Sequence, residues 1–350
     1  MLDTNRKDRA AEVAKYPFEN GTKEYYGVID SCINDTSKCA DTISASKSTD
    51  PRVLALLQTL KNFNQVSTDN TYRDALLAGK FYEQQSFLAS QKIAKSALEK
   101  RPDYRILLKI GGYSEFSLGN FKEASSLLER YYALEPKDIE TAYMLGIVNY
   151  LKEDYSTSNL YFNAAVLNGY TPKTELERRL IYNYSLLGDT RGAFKIFRYL
   201  LDEADVTSED YEIAIFMAIE GGEPSKASLW SQKGISKFPE DDRLLAFAGG
   251  LKRETGDLEE AETLLRKALR IDGRNPIASL ELGRLFIAKN DYTLAQGYLK
   301  DAIESDIGGF FASEAQKELD NIPKTASGST GALDVSTGSI TQTSTGTPSP

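Results

Sequence analysis

The sequence predicts an all-α chain of stacked helical hairpins, an α-solenoid. Three observations predict it. A small residue recurs about every 34 positions, a turn signal stands five residues ahead of it, and the apolar residues between turns follow the period of a helix. The run TGDLEEAETLLRKALRID, Thr255–Asp272, shows all three. Gly256-Asp257 is the turn, Ala261 is the small residue, and Leu264, Leu265, Ala268 and Leu269 recur at helical spacing.

Stepping outward from Ala261 gives the array. Forwards lies Ala295; backwards lie Ala227, Ala193, Ser158, Ala124 and Ser90, at steps of 34 with one of 35 between Ser158 and Ala193. The matching turns are Gly119-Asn120, Glu153-Asp154, Gly188-Asp189, Gly222-Glu223, Gly256-Asp257 and Asn290-Asp291. Gly tolerates the left-handed backbone that ends one helix, and Asp or Asn caps the next. Twelve residues before the small position stand Ala78, Gly112, Gly146, Gly249 and Gly283; seven after it stand Ala97, Ala165, Ala268 and Ala302. Small side chains at these points let two helices approach closely. Pro102, Pro136 and Pro239 follow second helices, which they cannot continue. One hairpin cannot cover its own apolar faces, so neighbours must stack.

This pattern resembles the tetratricopeptide repeat, with its small residue at position 8, aromatic at 11, Gly-Asp near 15–16, Ala at 20 and 27, and Pro at 32. Seven units fit: 71–104, 105–138, 139–173, 174–207, 208–241, 242–275 and 276–309. The family's Trp near position 4 is missing throughout, and the single Trp230 falls elsewhere. The unit from Ser208 has Ile215 at the small position of its first helix and Gly234 where Ala is usual. The resemblance implies a right-handed superhelix whose first helices line a concave groove. Structural roles accordingly fall to Gly112, Ala124, Gly146, Ala193, Ala227, Gly256, Ala261, Gly283 and Ala295. On the family's groove positions the first four units place Tyr72, Tyr82, Ile106, Tyr113, Phe116, Tyr143, Met144, Tyr150 and Tyr182. Amphipathic rings suit a recognition surface; the plainer reading packs some of them, Tyr82 and Tyr150 above all, between hairpins. Some family members grip chaperone C-termini with a five-residue carboxylate clamp. Here Lys109 and Arg179 fit it, while Tyr113, Met144 and Glu175 do not, so binding of that kind is not expected.

The ends read differently. Residues 1–70 form an N-terminal helical segment, with a weak helix over Arg6–Lys15 and a clear one at PRVLALLQTLKNF. There Asp50 caps, Pro51 opens, and Leu54, Leu57 and Leu60 lie along one side. Cys32 and Cys39 are the only cysteines. Two thiols this close predict a small disulfide loop, and with it an oxidising compartment, against the alternative of two ordinary cysteines on adjacent turns. The sequons at Asn20 and Asn34 matter only in a eukaryotic secretory pathway. Residues 310–323 read as a capping helix with an apolar stripe of Phe310, Phe311, Ala315, Leu319 and Ile322. The Ser/Thr/Gly-rich 324–350 cannot bury enough apolar area to fold and read as disordered: a flexible terminus, a severed linker or an O-glycosylated segment.

Composition narrows the function. A net charge of −9 argues against nucleic acid as the main partner. With no His and two Cys, the chain holds no Ser-His-Asp or Cys-His nucleophile and no His-ligated or four-Cys metal site. No apolar run is long enough to span a bilayer. Gly111-Gly112 and Gly249-Gly250 lack the Lys-Ser/Thr of a phosphate loop. The expectation is a non-enzymatic scaffold or adaptor, without cofactor, that binds a peptide or protein segment. Cys32, Cys39 and the tail point to the soluble part of a bacterial cell-envelope protein. The alternative is a repeat module serving an enzyme, such as a glycosyltransferase or protease complex.

Overall fold

Close helix contacts at small residues, with a side-chain cap at four of the seven hairpin turns, build each hairpin. The structure, a computed structural model, describes residues 20–306 and 309–323, with side chains from Tyr25 onward. The expected helix over Arg6–Lys15 and the tail from residue 324 lie outside the described residues. Among the described residues every regular element is a helix. Three come first: α1 (Asn20–Asn34), α2 (Cys39–Ser46) and α3 (Pro51–Val66). Seven hairpins follow. They are α4 (Asn70–Glu83) with α5 (Phe87–Lys100), α6 (Arg105–Ser117) with α7 (Phe121–Leu134), and α8 (Ile139–Leu151) with α9 (Tyr155–Leu167). Then come α10 (Lys173–Leu186) with α11 (Thr190–Leu200), α12 (Ser208–Glu220) with α13 (Pro224–Lys237), and α14 (Asp242–Glu254) with α15 (Leu258–Ile271). The last hairpin is α16 (Pro276–Ala288) with α17 (Tyr292–Ser305), and α18 (Phe310–Asn321) follows it. The chain divides between Asp205 and Val206 into two compact units, the first ending with α11 and the second beginning with α12.

The turn inside each hairpin is set by one left-handed residue. These are Gln85, Gly119, Glu153, Gly188, Gly222, Gly256 and Asn290, with φ from 58° to 87°. Four are glycines, the residue for which this conformation carries no Cβ penalty; Gln85, Glu153 and Asn290 accept the cost. The next residue starts the second helix, and Asp154, Asp189, Asp257 and Asp291 each accept a backbone N–H there.

The seven small residues from Ser90 to Ala295 are all fully buried. Within the hairpins, Gly112 faces Leu128, Gly146 faces the ring of Phe162, Gly249 faces Leu265 and Gly283 faces Leu299. A Cβ on Gly112, Gly249 or Gly283 would lie 2.6 Å from the opposing leucine, so only glycine fits without a shift. Ile215 departs from this rule with buried Ser231 sixteen residues on, where four other units carry Leu128, Phe162, Leu265 or Leu299, so the large and small members have changed places. The unit from Thr174 departs without such an exchange, with Ile181 and Phe197 at the two positions.

The N-terminal segment corrects two expectations. Residues 20–34 are helical, and the Asn-Gly-Thr start gave no sign of it. Tyr25 ties α1 to the hairpin α4–α5 through its hydroxyl, which donates to Gln84 Oε1 (2.6 Å) and pairs with Ser86 Oγ (2.9 Å). In α3 the Asp50 cap and Pro51 start are present, but the buried face is Val53, Leu56, Leu60 and Phe63, and Leu54 is exposed. Of the expected stripe, Leu60 is buried, Leu57 half-buried and Leu54 exposed. Likewise α18 buries Ala312 and Ala315, with Ile322 just beyond its end, while Phe310 remains 48% exposed.

Candidate functional site

Helix geometry puts positions three and four apart on one face, so the first helices of the first unit present their predicted residues together. The structure sorts these residues into two groups. Ile106 and Tyr182 are exposed, at 48% and 54%. Tyr72, Tyr113, Phe116, Tyr143, Met144 and Tyr150 are half-buried. Phe116 and Tyr150 belong to an aromatic clasp that, with Tyr82, repeats every 34 residues. Tyr82 meets Phe87 at 5.3 Å, Phe116 meets Phe121 at 5.7 Å, and Tyr150 meets Tyr155 at 5.8 Å between ring centroids. Each pair joins the end of a first helix to the start of its own second helix. Two rings also bridge neighbouring hairpins: Tyr82 to Tyr113 and Tyr150 to Tyr182, both at 6.2 Å. Tyr72 instead packs against Phe63 of α3, at 6.0 Å.

Charged groups lace this face internally. Lys109 Nζ donates to Asp138 (2.8 Å) and Glu140 (3.2 Å), and Tyr131 Oη donates to the same Asp138 oxygen (2.9 Å). Burial works against the Lys109 ammonium, yet the bonds to Asp138 and Glu140 and the field of Tyr113 leave its pKa raised. Burial would raise Asp138 too, but Lys109 and the Thr141 N–H at the helix cap hold it below the usual carboxylate range. Tyr113 is pushed up to about 12, first by burial. One hairpin on, Tyr143 stacks on Tyr170 with centroids 4.9 Å apart and planes 11° from parallel, and both hydroxyls reach Glu175 at 3.2 Å. Arg179 pairs with the same carboxylate at 3.3 Å. The two clamp-like cations, Lys109 and Arg179, are thus paired with carboxylates of their own neighbours.

The second unit offers a different face. Phe216 on α12, Phe247 on α14, and Phe310 and Phe311 on α18 line two cavities of about 170 and about 240 Å³. Phe310 meets Phe216 edge-on at 5.7 Å and Phe311 at 5.4 Å. Arg284 reaches across to Glu281 (2.9 Å), Glu314 (3.2 Å) and Glu318 (3.0 Å), and Arg243 pairs with Glu212. Burial raises the Glu212 carboxyl, with Arg243 pulling the other way. Among the described residues no group of carboxylates, Cys or His is arranged to hold a metal, and no helix is long and apolar enough to cross a membrane.

A family model described as tetratricopeptide repeat matches residues 252–306, which run from the end of α14 through α17. Over those residues the repeat is a tetratricopeptide repeat. Solved tetratricopeptide structures resemble the chain at low identity. The C-terminal part of a repeat protein from Cytophaga hutchinsonii is 12% identical, covering 69% of this chain and 98% of its own, with a TM-score of 0.49. A repeat protein from Parabacteroides merdae is 15% identical, covering 72% and 98%, with a TM-score of 0.39. The TPR2AB domain of yeast Sti1 in complex with pHSP90 is 16% identical, covering 71% and 97%, with a TM-score of 0.32. At these scores none carries a functional inference. No curated protein matches the chain.

Beyond the tetratricopeptide groove positions, several site residues escaped the sequence. Tyr131 and Tyr170 lie at or past the ends of second helices, so a map of first-helix positions omits them. Phe216, Phe247 and Arg284 do occupy those positions in later units, and applying the same map to units five to seven would have found them. The clasp partners Phe87, Phe121 and Tyr155 were visible as aromatics, but nothing in the spacing said that they would draw Tyr82, Phe116 and Tyr150 partly out of the groove.

Proposed function

We propose that the chain is a non-enzymatic protein-interaction scaffold that binds a peptide or protein segment along the first helices of its first unit, α4, α6, α8 and α10. The observation that carries this reading is Tyr150 and Tyr182. Their rings meet at 6.2 Å across two adjacent hairpins, and Tyr182 stays more than half exposed on a helix held in register by buried contacts. A large, rigid, amphipathic ring gives contact area at low entropic cost. Ile106, exposed on the preceding first helix, extends the apolar surface. The anchors are therefore Tyr150, Tyr182 and Ile106, with Tyr72 and Met144 at the margins. Tyr113 and Tyr143 shape the floor, because their rings and hydroxyls are engaged within the array. The absence of His from the sequence and the pairing of Lys109, Asp138, Glu175 and Arg179 with one another support a binding role rather than a catalytic one.

An extracytoplasmic setting fits the Cys32–Cys39 disulfide, whose Cα atoms lie 4.5 Å apart and whose side chains are fully buried. Counting thiols in the denatured, unreduced protein from its native source tests this; two free thiols remove the argument. The binding face is tested by co-purification from native extract, comparing the wild type with Tyr150→Ala/Tyr182→Ala. The variant is expected to lose the partner while keeping its helical melting curve. Equal recovery by both baits refutes the assignment.

A further inference from the structure

The second unit carries a recognition site of its own, unlike that of the first. We propose that its Phe-lined cavities take the apolar anchor side chain of a cationic peptide segment. Three observations lead there.

The first is unfinished burial. Phe310 already makes edge contacts with Phe216 and Phe311, yet 48% of it remains open to solvent, and Ile213 beside it is 42% exposed. A ring held by two neighbours and left half bare forms part of a rigid apolar lining. The second is size. A cavity of about 170 Å³ opening beside one of about 240 Å³ is smaller than the roughly 300–1,000 Å³ of a site for a drug-sized molecule. It suits one or two side chains.

The third is charge, which chooses the partner. Arg284 is surrounded by Glu281, Glu314 and Glu318, and Arg243 is taken by Glu212, so neither guanidinium is free for a ligand. Glu209 and Glu220 line the same cavities, are exposed, and pair with no cation among the described residues. The rim is therefore acidic around an apolar floor. A ligand bearing Lys or Arg beside its anchor gains from that field, and an acidic one is repelled. The terminal helix α18 thus does more than cover the last hairpin, because two of the four phenylalanines are its own.

The probe is a fluorescein-labelled peptide with a central Leu-Phe pair and two lysines on each side, titrated into the full chain by fluorescence anisotropy. Companion peptides carry Glu for Lys, or Ser-Ser for Leu-Phe. Saturable binding of the first peptide alone is expected. Phe310→Ala and Glu220→Lys should each weaken it about tenfold or more, the loss typical of a central contact. Tyr182→Ala should leave it unchanged, which separates this site from the face proposed for the first unit. Because Glu220 is solvent-exposed, Glu220→Lys keeps the test decisive if Phe310→Ala fails to fold. The proposal is overturned by any of several results: no binding at millimolar protein, equal binding of the Glu peptide, or binding indifferent to both variants. It is also overturned if sedimentation shows a dimer that Phe310→Ala dissolves, for then a second copy is the occupant.

Discussion

The two units build the same 34-residue register from opposite materials. Where a second helix meets the next first helix, the small residue contacts the position 24 or 25 residues on. In the first unit two such pairs are polar: Ser90 Oγ to Ser114 Oγ at 2.8 Å, and Ser158 Oγ to Asn183 Nδ2 at 2.9 Å. Between them, Ala124 is matched by Val148. In the second unit the register-equivalent pairs are all apolar: Ala227 with Leu251, Ala261 with Leu285, and Ala295 with Leu319. Wherever the small residue is Ser, its partner can hydrogen-bond; wherever it is Ala, its partner is aliphatic. A buried hydroxyl without a partner costs about 1–3 kcal/mol, and that cost keeps the pairs matched.

The largest way to break the comparison is steric. Gly146→Leu drives a branched side chain into the ring of Phe162, and overpacking of this kind costs about 3 kcal/mol. Trp230, the single tryptophan, lies in the second unit. In urea, Trp fluorescence should therefore report an unchanged second unit while circular dichroism loses the first unit's helices early. A simultaneous loss of both signals would mean that the units do not unfold separately.

The polar pairs come next. Ser158→Ala removes one of the two acceptors of the Asn183 side-chain amide, Asn159 Oδ1 at 2.9 Å remaining, and should cost about 1 kcal/mol. Ser158→Ala/Asn183→Leu, which copies the second unit's chemistry but takes the donor from Asn159 Oδ1, should still cost less than the sum of its singles. A double variant as unstable as the sum of its singles would show that the pairing rule is accidental. The reverse change, Ala261→Ser, should cost a similar amount, because Leu285 offers its hydroxyl nothing.

Turn residues give a smaller effect of either sign. Glu153→Gly relieves a left-handed residue in the first unit and should stabilise by about 1 kcal/mol, while Gly256→Ala in the second should cost about as much. Thermal melts of the two variants test this, and shifts of the same sign would contradict it.

The smallest effect is in pH. Asp138 has a lowered pKa, so its contribution is present above the ordinary Asp value and lost as pH falls through the lowered one. Glu212 has a raised pKa, so its contribution is present below the ordinary Glu value and lost as pH rises through the raised one. Between neutrality and mild acid, Glu212→Gln should flatten the second unit's stability profile. Asp138→Asn should alter the first unit's profile only in stronger acid.

How much of this was legible follows from what repeats. The period and the turns were readable because they recur along the whole array with the same cause, and the glycine contacts because they recur in four hairpins. Even the exception at Ile215 has a visible compensation in Ser231. The α1 helix was not readable, since it occurs once and its contacts are tertiary, through Tyr25 to Gln84 and Ser86. The groove was half readable. Ile106 and Tyr182 are exposed on first helices, but the exposure of Tyr82 and Tyr150 depends on Phe87 and Tyr155, which a one-helix map ignores.

The central claim is that partners of the first unit lie along its first helices. Hydrogen–deuterium exchange on the chain, with and without a partner recovered by co-purification, tests it most directly. Added protection should concentrate in α6, α8 and α10, around Ile106, Tyr150 and Tyr182. Protection confined to the second helices α5, α7 and α9 would contradict the account.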